Sequence, residues 1–237
     1  MRVVLPALTS FLFEGERACL EDFLARIDTP RLDSICITYC DMGDLSVPQL
    51  SEFLNRSNFK LPRFGDAKIS FDHSRMISFY VRHGVDPDEY AFAIRIVPDE
   101  AQIGDPVWDM AQVHNQISAR LSDVDRLEIN AGSDWRLYDD QNMDNTHWVE
   151  LLLIFTAVET LRVSEEFAES NADAFQEMTV SMATQLLPAL GSLYLEGQLA
   201  RTIKNIFIFF KTCGRLLTII GCEGVNSEGS GSETEHN

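Results

Sequence analysis

One apolar spacing, apolar-x-x-apolar-x-apolar, recurs along the chain and constrains its fold more than any other feature. It occurs as Leu8, Phe11, Phe13, as Leu32, Ile35, Ile37 and, more weakly, as Phe64, Ala67, Ile69. It returns as Val124, Leu127, Ile129, as Val158, Leu161, Val163 and as Leu190, Leu193, Leu195. The first and last copies sit in two similar phrases, LPALTSFLFEG from Leu5 and LPALGSLYLEG from Leu187, which agree at seven of eleven positions. Alternation at the last two apolar positions puts both side chains on one face of a short strand. The first apolar residue anchors the turn that feeds that strand. Parallel stacking of such strands buries a continuous apolar ladder, and each strand then needs a return path, usually a helix. Successive copies start 24, 32, 60, 34 and 32 residues apart, so the step of 60 leaves room for one lost or remodelled unit.

The return segments have helical periodicity. Leu20, Phe23, Leu24 and Ile27 share a helical face, as do Leu50, Phe53 and Leu54, with Ser46 as the expected N-cap ahead of Pro48. Trp108, Ala111, Gln112, Asn115 and Ile117 form a weaker amphipathic stretch, and Trp148, Leu151, Leu152 and Phe155 a stronger one capped by Asn145 or Thr146. Phe175, Met178, Met182 and Leu186 repeat the pattern. The middle of the chain differs. AKISFDH, RMISFYVRHG and EYAFAIRIVP alternate apolar and polar residues across short polar links, which predicts three adjacent strands of antiparallel character near residues 64–98. The expected fold class is therefore α/β: an irregular, curved, leucine-rich-repeat-like stack of parallel strands with helical returns and an antiparallel excursion. It occupies residues 1–222, and the Gly-, Ser- and Glu-rich residues 223–237 read as a disordered tail.

Charge and motif content narrow the function. A formal charge of −18 argues against nucleic acid as a partner, because phosphates would be repelled. Five cysteines form no C-x-x-C pair, which fits reduced thiols in cytosol or nucleus; Cys36 falls at an outward strand position and Cys40 at a turn. The most apolar run, Ile203 to Cys222, is punctuated by Lys204, Lys211 and Arg215 and reads as a buried helix followed by a strand, not as a membrane span. Neither the five histidines nor the cysteines show metal-ligand spacing, and no phosphate-loop, dinucleotide or nucleophile-elbow motif occurs. Asp140, Asn142 and Asp144 imitate the opening of a calcium loop, but Asn145 replaces its glycine and Leu151 its bidentate glutamate, so a solvated loop is expected. Non-enzymatic binding with no cofactor is the expectation.

The phrases LPALTSFLFEGE, CLEDFLARIDTPRLDSICITYCD, VPQLSEFLNRS, NTHWVELLLIFTAVETLRVSEEFA and LLPALGSLYLEG resemble fungal F-box-associated leucine-rich-repeat proteins, over about Leu5 to Gly197. The resemblance implies repeats that present a degradation target. It also implies an adaptor-docking F-box ahead of them. Too few residues precede Leu5 for such a module, so direct adaptor docking is not expected. The alternative is an interaction or structural repeat domain unrelated to ubiquitin ligases. The ninth unit position is Asn or Cys in ordinary leucine-rich repeats, and only Cys40 matches it here, which predicts an irregular stack.

In such a stack, the residues alternating with the core positions line one open face. They include Ser34, Cys36 and Thr38; Asp66, Lys68 and Ser70; Arg126, Glu128 and Asn130; Thr160, Arg162 and Ser164; and Ser192, Tyr194 and Glu196. Tyr and Arg dominate interface hot spots, so Arg126, Arg162 and Tyr194 are the expected anchors for an unknown protein partner, with Lys68 and Glu128 beside them.

Overall fold

Strands alternate their side chains, so a sheet with one apolar side chain in two must bury one face. The computed structural model describes residues 2–40, 46–57, 59, 65–72, 76–82, 90–97, 106–132, 145–170, 186–196 and 218–222. In chain order these form β1 (Val3–Val4), β2 (Ser10–Gly15), α1 (Arg17–Leu24), β3 (Ile27–Asp28), β4 (Ser34–Tyr39), α2 (Pro48–Arg56), β5 (Gly65–Phe71) and β6 (Ile77–Arg82). There follow β7 (Tyr90–Ile96), α3 (Pro106–Leu121), β8 (Val124–Ala131), α4 (Asn145–Leu153), β9 (Thr160–Val163), α5 (Glu165–Ser170), β10 (Ser192–Glu196) and β11 (Thr218–Cys222). Nine strands make one open, mostly parallel sheet in the order β11-β10-β9-β8-β5-β6-β7-β4-β2, while β1 and β3 pair separately. The fold is thus mixed α/β, with five helices among the described residues.

The recurring spacing becomes two rows of side chains that cross the sheet in register. One row runs Phe13, Ile37, Ile94, Phe79, Ile69, Ile129, Val163, Leu195. Beside it runs Phe11, Ile35, Phe92, Val81, Ala67, Leu127, Leu161, Leu193. All but Phe13, which is half-buried, are buried. Of the two alternatives for the 60-residue step, a remodelled unit fills it: β7 supplies Phe92 and Ile94 beside Ile35 and Ile37 of β4. The antiparallel excursion therefore sits mid-sheet. β6 is its one inverted strand, antiparallel to both β5 and β7, whereas β5 pairs parallel to β8 and β7 parallel to β4. The crossovers through α2 and α3 each pass over two strands. The two LPAL phrases form the same turn: the Leu8 N–H donates to the Leu5 carbonyl at 3.3 Å and the Leu190 N–H to the Leu187 carbonyl at 3.0 Å.

Two helix expectations are corrected. Val47, not Ser46, precedes α2, and no side chain of its own caps the helix. Carboxylate oxygens of Glu21, on α1, instead accept from the Gln49 and Leu50 N–H groups at 2.7 and 3.2 Å, and Gln116 of α3 accepts from Val47. Pro48 has no N–H, so the first-turn donors are accounted for by neighbouring helices. Local sequence cannot reveal a cap from 28 residues away. On α3 the buried face is Val107, Met110, Ala111, Val113, His114, Ile117 and Leu121, while Trp108 and Asn115 are exposed. The amphipathic pattern misplaces the face because His114 reads as polar yet is fully buried, its ring 4.2 Å from Phe79 and 5.8 Å from Phe155. Of the run read as helix then strand, the strand is β11; residues 203–217 lie outside the described residues, as do 171–185 and the tail from 223.

Truncation in the middle of the ladder should be expensive. Ile69→Ala and Ile129→Ala should each cost about 2–5 kcal/mol in urea unfolding. Leu12→Ser, on a side chain 75% exposed, should change stability by less than about 0.5 kcal/mol. His114 gives a second test. Burial pushes its imidazole down to about 3, against 6.5 for the ordinary group. The unfolded chain then binds a proton that the folded chain refuses, so stability is complete above pH 6.5 and falls as pH drops towards 3. The slope from this residue should approach about 1.4 kcal/mol per pH unit, and His114→Leu should flatten it in pH-dependent urea melts.

Candidate functional site

The face opposite the ladder carries the alternate residues of each strand. Among the described residues no helix covers its β5–β8–β9–β10 part, where Arg126 and Arg162 are exposed and Lys68, Glu128 and Tyr194 half-buried. Strand register sets the chemistry. Lys68, Glu128, Arg162 and Tyr194 lie directly across from one another on β5, β8, β9 and β10. One step towards the strand starts, Asp66, Arg126, Thr160 and Ser192 form a second row. Adjacent strands stand about 4.8 Å apart, so long side chains in neighbouring rows meet.

All of these residues except Ser192 line a cleft of about 400 Å³, together with Arg82 at the end of β6. All five expected site residues, Lys68, Arg126, Glu128, Arg162 and Tyr194, are in it. Cys36 shares the face but lies on β4, beyond β6 and β7, and does not line the cleft; Cys19, Cys36 and Cys40 are free thiols. Arg82 is the residue that sequence reasoning missed. It ends β6, a strand of the antiparallel excursion that carries no copy of the recurring spacing. The signal was present in ISFYVR: alternation puts Ser78, Tyr80 and Arg82 on one face, and the hairpin sets Tyr80 opposite Lys68.

Glu128 organises the centre. Its Oε1 accepts from Lys68 Nζ at 2.9 Å and from Asn130 Nδ2 at 3.0 Å. Burial is the largest influence on its carboxyl and would raise its pKa. The Lys68 hydrogen bond and the charges of Lys68, Arg82 and Arg162 together outweigh burial, so the group titrates below the ordinary glutamate value. Arg126 pairs more loosely with Asp66, at 3.7 Å. On the cleft's β6 side, Arg95 donates to the Tyr80 hydroxyl at 3.2 Å, and Tyr80 packs on Tyr90 at 4.7 Å between ring centres.

The cleft offers guanidinium and ammonium donors, two hydroxyls (Thr160 and Tyr194) and two carboxylates. No thiol or imidazole lines it. Among the described residues no group of three or more His, Cys, Asp or Glu is placed to hold a metal ion, and no helix is long and apolar enough to cross a membrane. The acidic segment imitating a calcium loop lies, apart from Asn145 and the helix after it, outside the described residues. No family model, curated protein or solved structure matches the chain.

Glu128 contributes stability above its ordinary value of 4.5 that is lost as pH falls through its lowered pKa. Lys68→Met removes the hydrogen bond and one nearby charge but leaves the burial. The Glu128 carboxyl should then titrate at higher pH by carbon-13 NMR. An unmoved titration would show that Lys68 does not hold it.

Proposed function

We propose that the chain is a protein-binding module of leucine-rich-repeat-like design, whose recognition surface is the open sheet face centred on the cleft. The single observation that carries this reading is the convergence of Lys68, Arg82, Arg126, Arg162 and Tyr194 in one open cleft, with the apolar ladder committed to the opposite face. Arg and Tyr supply binding energy through large, partly desolvated contacts, and a cluster at the centre of a surface is where hot spots concentrate. The resemblance to the recognition repeats of F-box proteins supports the same role. Repeat units of 24 to 34 residues, with a remodelled one among them, make the stack irregular but keep the parallel strands in register.

The test is affinity capture with the full chain, the variant Arg162→Glu with Tyr194→Ala, and Asp22→Lys on the helical side as a control. The face variant should lose its partners, with hot-spot truncations costing about 2 kcal/mol or more each. Asp22→Lys should keep them, and all three should unfold at similar urea concentrations. Equal capture by all three would remove the open face from the function. A cullin-ligase adaptor among the captured proteins would favour the F-box-type reading, and its consistent absence an interaction domain with no link to ubiquitin ligases.

A further inference from the structure

One edge of the sheet presents backbone groups that nothing pairs. β2 is the terminal strand, with β4 on one side only. The Ser34 N–H donates to the Thr9 carbonyl at 3.0 Å and the Cys40 N–H to the Gly15 carbonyl at 3.2 Å. With Ser10 across from Ser34, this sends the backbone groups of Thr9, Phe11, Phe13 and Gly15 towards β4. Those of Ser10, Leu12 and Glu14 point outward, and among the described residues no strand meets them. Edge strands are commonly protected by a lysine, a proline or a bulge. SFLFEG has no lysine or proline, and its register with β4 does not shift.

The same end of the stack is apolar. Val3 pairs with Ile27 and Ser10 with Ser34, the same offset of 24 residues, so β1 and β2 belong to one repeat unit with α1. Val3, Val4, Leu12 and Phe23, four of the five large apolar side chains exposed among the described residues, lie in that unit. Leu12 is on the open face. Phe23 is on the helical side, stacked on Phe11 with ring centres 5.8 Å apart. Residues 3–13 carry no charged side chain, and Asp22, beside Phe23, is compensated by Arg26 at 2.8 Å. A chain of −18 repels its own copy, and this edge is a place where two copies meet without facing like charges.

We propose that β2 pairs antiparallel with β2 of a second copy of this chain, about a two-fold axis through Leu12. Backbone geometry selects that register. Antiparallel strands exchange two hydrogen bonds at alternate residue pairs. An axis at Leu12 sets Leu12 against its own copy and Ser10 against Glu14, so every outward residue of the strand is bonded. An axis at Phe11 or Phe13 would leave Glu14 or Ser10 facing a residue outside the strand. The side chains agree with the choice. Phe11 stands against Phe13 of the second copy, so both apolar rows continue across the axis. Ser34 donates to the Ser10 oxygen at 2.8 Å, which leaves the Ser10 proton for the Glu14 carboxylate of the second copy. The two Phe23 rings, level with Phe11, close over the axis on the helical side. A strand from another protein would have to supply this pattern, whereas β2 supplies it to itself, as a two-fold interface requires. The axis is perpendicular to the sheet, so both open faces look the same way and present two clefts to one target.

Sedimentation velocity of the full chain should show a monomer at about 1 μM and a rising dimer fraction between about 20 and 500 μM, as suits a small interface. Leu12→Lys places two ammonium groups at the axis and should weaken dimerisation by roughly tenfold or more. Leu12 is 75% exposed, so variant and parent should unfold alike in urea when both are monomeric. That separates lost pairing from lost folding. Amide hydrogen exchange by NMR locates the contact. The Ser10, Leu12 and Glu14 amides should gain protection as the dimer forms, while those of Phe11 and Phe13 are protected throughout. A chain still monomeric at about 500 μM overturns the proposal. So does a dimer in which those three amides stay unprotected. Protection that is independent of concentration would mean that this chain covers its own edge, and overturns it too. The capture variants on the open face leave β2 intact, so failure of that reading and failure of this one are told apart.

Discussion

The in-register apolar ladder on the helical face is the constraint on which the rest of the structure depends. Parallel strands have no local turn to align them, so register must come from the side chains themselves. A slip by one residue would turn Ile37, Ile69 and Ile129 to the open side and bring Thr38, Ser70 and Asn130 under the helices. The cost of burying those polar groups locks the pairing. The same lock fixes the open face, because the residues between the rungs have no other direction to point. Lys68 stands across from Glu128, and Glu128 across from Arg162, because Ile69, Ile129 and Val163 are aligned.

Helix placement follows from the same ladder. Trp148 and Phe167 pack edge-on at 4.4 Å, and Trp148 meets Phe71 of β5 at 5.0 Å, so α4 and α5 close over adjacent strands. The buried hydroxyl of Ser164 accepts from the Ala131 N–H at 3.0 Å and from the Phe167 N–H at 3.5 Å, tying the end of β8 to the start of α5. Glu21 and Gln116 do the equivalent work for α2 from two other helices. The helices thus satisfy one another's ends across the layer. Side-chain caps of this kind are worth about 1 kcal/mol each, small beside the apolar burial but decisive for where a short helix starts.

Sequence made the periodic parts of this architecture legible. Alternation identified the strands and both faces, and the recurring spacing identified which strands are equivalent. Lys68, Arg126, Glu128, Arg162 and Tyr194 could be assigned to one surface because period 2 is unambiguous once the core positions are known. Pairing order was not legible in the same way. Nothing local in AKISFDH or EYAFAIRIVP says that β5 joins β8 while β7 joins β4; that choice belongs to the long-range closure of the sheet. Ser46 and His114 mark two further limits. A helix start can be satisfied from another helix, and a polar residue type can occupy the core when aromatic rings surround it.

The inverted strand β6 is what turns a generic open face into a cleft with a particular charge. In a purely parallel stack, every strand would offer its starting residues to the row formed by Asp66, Arg126 and Thr160. β6 runs the other way, so it brings its final residue, Arg82, to that end of the sheet. Its register also shifts between Val81 and Arg82, where the pairing with β7 is irregular. Such bulges bend a strand and re-aim the side chain beside them. The excursion therefore contributes twice: Phe79 and Val81 keep the ladder continuous beneath the sheet, while Arg82 adds a fourth cation above it. Deleting the hairpin would remove that cation together with two rungs of the core, so in this fold the charge of the cleft and the continuity of the ladder are supplied by the same six-residue strand.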